Sequence, residues 1–181
     1  SDLYAVTGDI LHKKGEEQEA FAAYDSCLQW KDDNVMALNN YAYYLSEKGV
    51  DLHKAESMSY KTIKAEPNNG TYLDTYAWIL FMEERYADAK TYIDQALKNR
   101  DSTADNSTVL EHAGDIYYMN GMADESVDFW KKAYTGENQT EVLAWKIKNR
   151  QYITGEELKK RNAPKQKPAA TKKSVRKGKK K

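Results

Sequence analysis

Small and large apolar residues fall into a pattern that repeats four times along the chain. Gly8, Ala42, Ala77 and Gly114 are each followed three residues later by a large side chain, Leu11, Leu45, Leu80 and Tyr117. The small residues stand 34, 35 and 37 positions apart. Each copy is interrupted at Gly15, Gly49, Glu84 or Gly121, and a second set of small residues follows: Ala20, Ala55, Ala89 and Ser126, with Cys27, Thr62, Ala96 and Ala133 seven positions on. Residues seven apart share one helical face, and small ones there let two backbones approach closely. Each copy predicts two helices packed as a hairpin, and the fixed period predicts a stack of hairpins.

The fourth copy is followed by a helix of different character. Val142, Leu143, Trp145, Ile147 and Ile153 alternate with Lys146, Lys148, Asn149 and Arg150, the apolar inner face and polar outer face required of a terminal cap. Thr154-Gly155-Glu156-Glu157 has capping-box spacing, so a short further helix is expected through about Asn162. No such cap precedes Leu3, Tyr4, Ile10 and Leu11, and fraying or self-association through that end is expected. Three prolines and nine glycines in 181 residues agree with an all-helical chain. No apolar run approaches the ~18 residues of a membrane span.

These columns resemble the tetratricopeptide repeat (TPR). The matching pieces are Tyr4-x-x-Thr7-Gly8-x-x-Leu11 with Ala20-x-x-x-Tyr24, and Leu73-x-x-Tyr76-Ala77-x-x-Leu80 with Ala89-x-x-x-Ile93. Leu110-x-x-Ala113-Gly114-x-x-Tyr117 with Ser126-x-x-x-Trp130 makes the fourth copy. Leu38-x-x-Tyr41-Ala42-x-x-Leu45 carries the motif's proline at Pro67, with one extra turn residue and Ser59 in place of the usual aromatic. The resemblance implies an all-α, right-handed solenoid of about four repeats, at about 1–34, 35–69, 70–103 and 107–138, then a capping helix and short extension over 139–162. NNYAYYLSEKG, TYLDTYAWILF, LEHAGDIYYMNG and the ending KNRQYI also resemble the C-terminal repeats of long TPR proteins of the Bacteroidales. That likeness implies further repeats before Ser1 and a location at the periplasmic side of the cell envelope, with the cytoplasm as the alternative. A start at Ser1 without Met or leader is expected of a processed chain or a fragment.

Charge divides the chain. Residues 159–181 hold 12 of its 28 Lys and Arg and none of its acids, leaving 16 bases against 28 acids in residues 1–158. Pro164 and Pro168 lie in this arm, and Val175 is its one strong hydrophobe. A disordered basic tail is therefore expected over 163–181. Lys172, Lys173, Arg176, Lys177, Lys179, Lys180 and Lys181 are its candidates for contact with nucleic acid, the ribosome or another polyanion. The alternatives are a solvated terminus, or an arm that lies along the chain's own acidic body as a competitor of basic guests.

Catalytic constellations are not evident. Cys27 stands in a small-residue column and reads as a buried hydrophobe, and a single thiol forms no intramolecular disulfide. His12, His53 and His112 lie in different repeats; Glu111, His112 and Asp115 have helical spacing for a metal but no second histidine beside them. No enzyme activity, metal or cofactor is expected.

Binding is the alternative. Family geometry places each repeat's first helix on a concave face, which implies a groove lined by Asp9, Asn39, Asn40, Tyr43, Asp74, Thr75, Trp78, Phe81, Glu111, His112, Asp115 and Tyr118, with His12 one turn on. Asp9 and Asp74 fall where a carboxylate clamp of the family would need Asn or a base, so that clamp is expected to be absent. Acids, amides and aromatics point to a peptide or protein partner with basic and apolar residues.

Overall fold

A computed structural model describes residues 2–101 and 104–163. The polyanion candidates Lys172 to Lys181 and most of the basic arm lie outside them. The described residues form ten α-helices and no strand. They are α1 (Asp2–Lys13), α2 (Glu17–Trp30), α3 (Val35–Lys48), α4 (Leu52–Ala65), α5 (Gly70–Met82), α6 (Tyr86–Asn99), α7 (Ser107–Met119), α8 (Ala123–Ala133), α9 (Glu141–Asn149) and α10 (Gly155–Asn162), with a 3-10 turn at Gly136–Asn138 before α9.

Helices pair as α1/α2, α3/α4, α5/α6 and α7/α8. The odd helices α1, α3, α5 and α7 also touch one another in sequence, forming an inner face, while α4 packs on α5 and α6 on α7. The helix starts have local causes. Asn34 Oδ1 accepts from Ala37 N–H at 3.0 Å, and Asn69 Oδ1 from Thr71 and Tyr72 N–H at 3.1 and 3.3 Å. Gly49, at φ 64°, ends α3 in the left-handed region. Glu84 occupies that region in the third hairpin at φ 60°, where the other copies place glycine.

Both small-residue columns are sealed: Gly8, Ala42, Ala77 and Gly114 are buried, as are Ala20, Cys27, Ala55, Thr62, Ala89, Ala96, Ser126 and Ala133. The reason is clearest at the two glycines. A Cβ on Gly8 would stand 2.7 Å from the Tyr24 ring, and one on Gly114 would lie 3.0 Å from Trp130 Cγ. In these two hairpins a large aromatic on the second helix fills the space a side chain would need. In the other two hairpins alanine occupies this position, and the smaller Ser59 and Ile93 stand where the repeat places the aromatic.

At the far end Thr154 and Glu157 form the reciprocal capping box: Glu157 N–H donates to Thr154 Oγ1 at 3.2 Å and Thr154 N–H to Glu157 Oε2 at 2.9 Å. At the near end Leu3, Tyr4, Val6 and Ile10 are exposed on α1. No described helix is long and apolar enough to cross a membrane.

Replacing Gly114 by alanine is expected to destabilise the fold by about 1–3 kcal/mol through overpacking against Trp130. Gly155→Ala, whose Cβ would meet Val142 at an ordinary 3.7 Å, should change it by no more than about 0.5 kcal/mol. Urea unfolding decides the matter; equal effects would show that Gly114 is not the close-approach position.

Candidate functional site

Carboxylates on the inner face are each held by a donor from another helix. Asp9 on α1 accepts from Tyr24 Oη on α2 and, at 2.9 Å, from Asn40 Nδ2 on α3. Burial and the adjacent Asp9 carboxylate push the Tyr24 phenol far up, so it remains a donor. On α5, Asp74 meets His112 Nδ1 of α7, its two oxygens 3.0 and 3.2 Å away.

Asp115 is the most enclosed of the three. Lys146 on α9 places its Nζ 2.7 and 2.8 Å from the two Asp115 oxygens and 3.1 Å from Glu111 Oε1. Trp130 Nε1 donates to Asp115 Oδ1 at 2.8 Å. The ammonium also lies 5.3 Å from the Tyr152 ring centre and 5.9 Å from that of Trp130, within cation–π range. Burial pushes the Asp115 carboxyl up, and Lys146 and the indole N–H oppose that shift. Lys146, expected on the polar outer face of the cap, is instead 3% exposed. The sequence signal was its place three residues after Leu143, on the buried side of α9, together with an acidic column that has no base of its own.

Beside this contact the aromatics form a packed layer. Trp78 stacks on His112 at 4.1 Å and on Phe81 at 4.8 Å, and its Nε1 donates to Glu47 at 2.9 Å. Tyr152, after α9, meets Phe81 edge-on at 5.8 Å and approaches Tyr118 at 6.5 Å. Trp78, Phe81, Glu111, His112, Asp115 and Tyr118, read from the sequence as lining an open groove, thus face neighbours within the chain. Nothing within these columns signals that α9 and Tyr152 come across them.

The other half of the inner face is open. A cleft of about 580 Å³ lies between α3, the start of α5 and the segment leading into α7. Asn39, Asn40, Tyr43, Asp74 and Thr75 come together in it. Asn68, Asn69 and Asn106 join them from the connections and Asn99 from the last position of α6, bringing the asparagines to six. Those four were missed because connecting segments and the far end of a second helix fall outside the inner-face columns; the Asn68-Asn69-Gly70 cluster at a helix start was the available signal.

One group of potential metal ligands lies among the described residues. His53, Glu56 and Glu83 bring ligand atoms within 4.8 Å of one another, but the Arg85 guanidinium already bridges Glu56 at 2.7 Å and Glu83 at 3.1 Å. Cys27 is buried, and burial pushes its thiol up, away from the reactive thiolate.

Burial pushes the His112 imidazole down, but the Asp74 carboxylate, supported by Glu47 and Asp115, outweighs it, so the folded value is raised above the ordinary 6.5. A proton held more tightly in the folded state stabilises that state while it is bound. The contribution of His112 is therefore full below about pH 6.5 and lost as pH rises through the raised value. The stability difference between the natural chain and His112→Gln should shrink between pH 6 and 9 in urea titrations. A constant difference would show that the pair does not depend on the imidazolium.

No family model matches the chain. A TPR repeat-containing protein of Pseudomonas aeruginosa is 35% identical over 66 residues, which is 36% of this chain and 11% of that protein. The chain thus spans only a small part of that relative. Among solved structures, the pilF protein of Pseudomonas aeruginosa superposes with a TM-score of 0.69 at 17% identity, over 82% of this chain and 66% of that one. YrrB, described as a TPR protein with an unusual peptide-binding site, gives 0.56 at 18% identity, over 81% and 74%. With its helix pairs repeating every 34 to 37 residues, the chain folds as a tetratricopeptide-repeat solenoid.

Proposed function

We propose that the chain binds an extended peptide segment of a partner protein in the cleft between α3, α5 and α7. The observation that carries this reading is the convergence of six asparagines on one open cleft. An asparagine amide offers both a donor and an acceptor, and a peptide backbone presents the complementary pair at each residue. Tyr43 and Val109 add apolar surface for side chains. The packed aromatic layer around Trp78 forms a wall beside the cleft and makes no direct contact with the guest. Support by analogy comes from YrrB, whose description names a peptide-binding site on the same fold.

Peptides selected from a random display library provide the test. Thr108, exposed at the cleft's edge, can be enlarged without disturbing the core, and Thr91 on α6 lies exposed away from the cleft. Thr108→Trp should weaken selected peptides about tenfold or more, equivalent to roughly 1.4 kcal/mol, whereas Thr91→Trp should leave their affinity unchanged. Unchanged binding to Thr108→Trp, or equal weakening by both substitutions, would overturn the reading.

A further inference from the structure

The deep wall of the cleft holds a polar atom that the fold leaves unused. Asn39 is 5% exposed, and its Oδ1 is buried without a hydrogen-bond partner among the described residues. A buried acceptor left unpaired costs about 1–3 kcal/mol, so its presence needs a reason.

Its orientation is fixed by a chain of hydrogen bonds. Tyr24 donates to Asp9, and a carboxylate can only accept. Asn40 must therefore turn its Nδ2 toward Asp9, at 2.9 Å, which leaves Asn40 Oδ1 to accept from Asn39 Nδ2 at 3.1 Å. Reversing either amide would set two acceptors against each other. Asn39 thus spends one of its two N–H groups on Asn40 and keeps its carbonyl oxygen unpaired among the described residues.

Other groups on the wall agree. Asp74 adds a carboxylate and Tyr43 an aromatic ring. The starts of α5 and α7 would ordinarily draw an anion through their free amides. Here Asn69 Oδ1 accepts from Thr71 and Tyr72 N–H, and Asp105 Oδ1 accepts from Ser107 N–H at 2.9 Å, so these N–H groups are already engaged. Arg100 is the opposing charge at the rim, and its Nη1 donates to the Leu97 carbonyl at 2.6 Å. The same inner face shows the matching chemistry one hairpin on, where Asp115, Glu111 and Tyr152 enclose the ammonium of Lys146.

We propose that the wall formed by Asn39, Asp74 and Tyr43 is a subsite for a cationic side chain, lysine or arginine, of the bound peptide, with Asn39 Oδ1 accepting one of its N–H groups. This rests on the peptide reading of the cleft and adds to it a sign of charge and a residue that detects it.

The test uses the full chain and four pools of acetylated, amidated decapeptides, degenerate in Ala, Ser and Leu except for a fixed central Lys, Arg, norleucine or Glu. Affinities are read by fluorescence anisotropy at 0.15 M salt. The Lys and Arg pools should bind about tenfold or more tightly than norleucine, as one charged hydrogen bond implies, with Glu weakest. Asn39→Leu removes the unpaired acceptor with little change in volume. It should reduce the cationic preference severalfold while the melting temperature stays level or rises, which a residue kept only for the fold would not do. Equal binding of the norleucine and Lys pools, or a full preference in Asn39→Leu, would overturn the subsite and leave the peptide reading standing. Failure of every pool to bind would overturn both.

Discussion

A carboxylate withdrawn from water must be met by a cation or by directed donors, because the cost of burying it alone is far larger than a small domain's whole stability. That constraint organises the inner face of this solenoid. Asp9 is met by Tyr24 and Asn40, Asp74 by His112, and Asp115 by Lys146 and Trp130. All three acids lie on first helices, and each draws at least one donor from a different helix. The pairs therefore tie the first hairpin to the second, the third to the fourth, and the fourth to the cap, beyond what the small-residue columns require.

The same matching divides the face into a filled and an open part. Lys146 and Tyr152 bring the cap over α5 and α7, where they complete a layer with Trp78, Phe81 and Tyr118. Toward α3 and the starts of α5 and α7 nothing among the described residues plays that role, and the asparagine cleft remains. The amides along it are polarised from one end, since the Asp9 carboxylate dictates the orientation of Asn40 and through it that of Asn39. Tertiary contacts in the first two hairpins thus set the chemistry that the cleft presents.

The hairpins were legible in the sequence because Gly8, Ala42, Ala77 and Gly114 are constrained by neighbours at a fixed chain distance, and a steric constraint of that kind writes a period. The Thr154 capping box was legible for the same reason, its partners lying three residues apart. Lys146 was misplaced because a lysine among polar residues reads as solvated, and only the distant Asp115 reverses that reading. Asn39, Asn40, Tyr43 and Asp74 were found through their helical columns, whereas Asn68, Asn69 and Asn106 reach the cleft from connections that follow no period and Asn99 from the end of α6. Trp78 could not be placed from sequence, since wall and groove differ only in whether His112 of α7 and Glu47 of α3, both distant in the chain, close on it.

Asp115 is held on the inner face by Lys146. A double-mutant cycle with Asp115→Leu and Lys146→Met, followed by urea unfolding, measures it most directly. Each single substitution strands a buried charge and should cost about 3–5 kcal/mol. The double variant, with both charges gone, should cost less than the sum of the two by about 2 kcal/mol. Single costs that add within about 0.5 kcal/mol would show that the two residues act independently and would contradict the account.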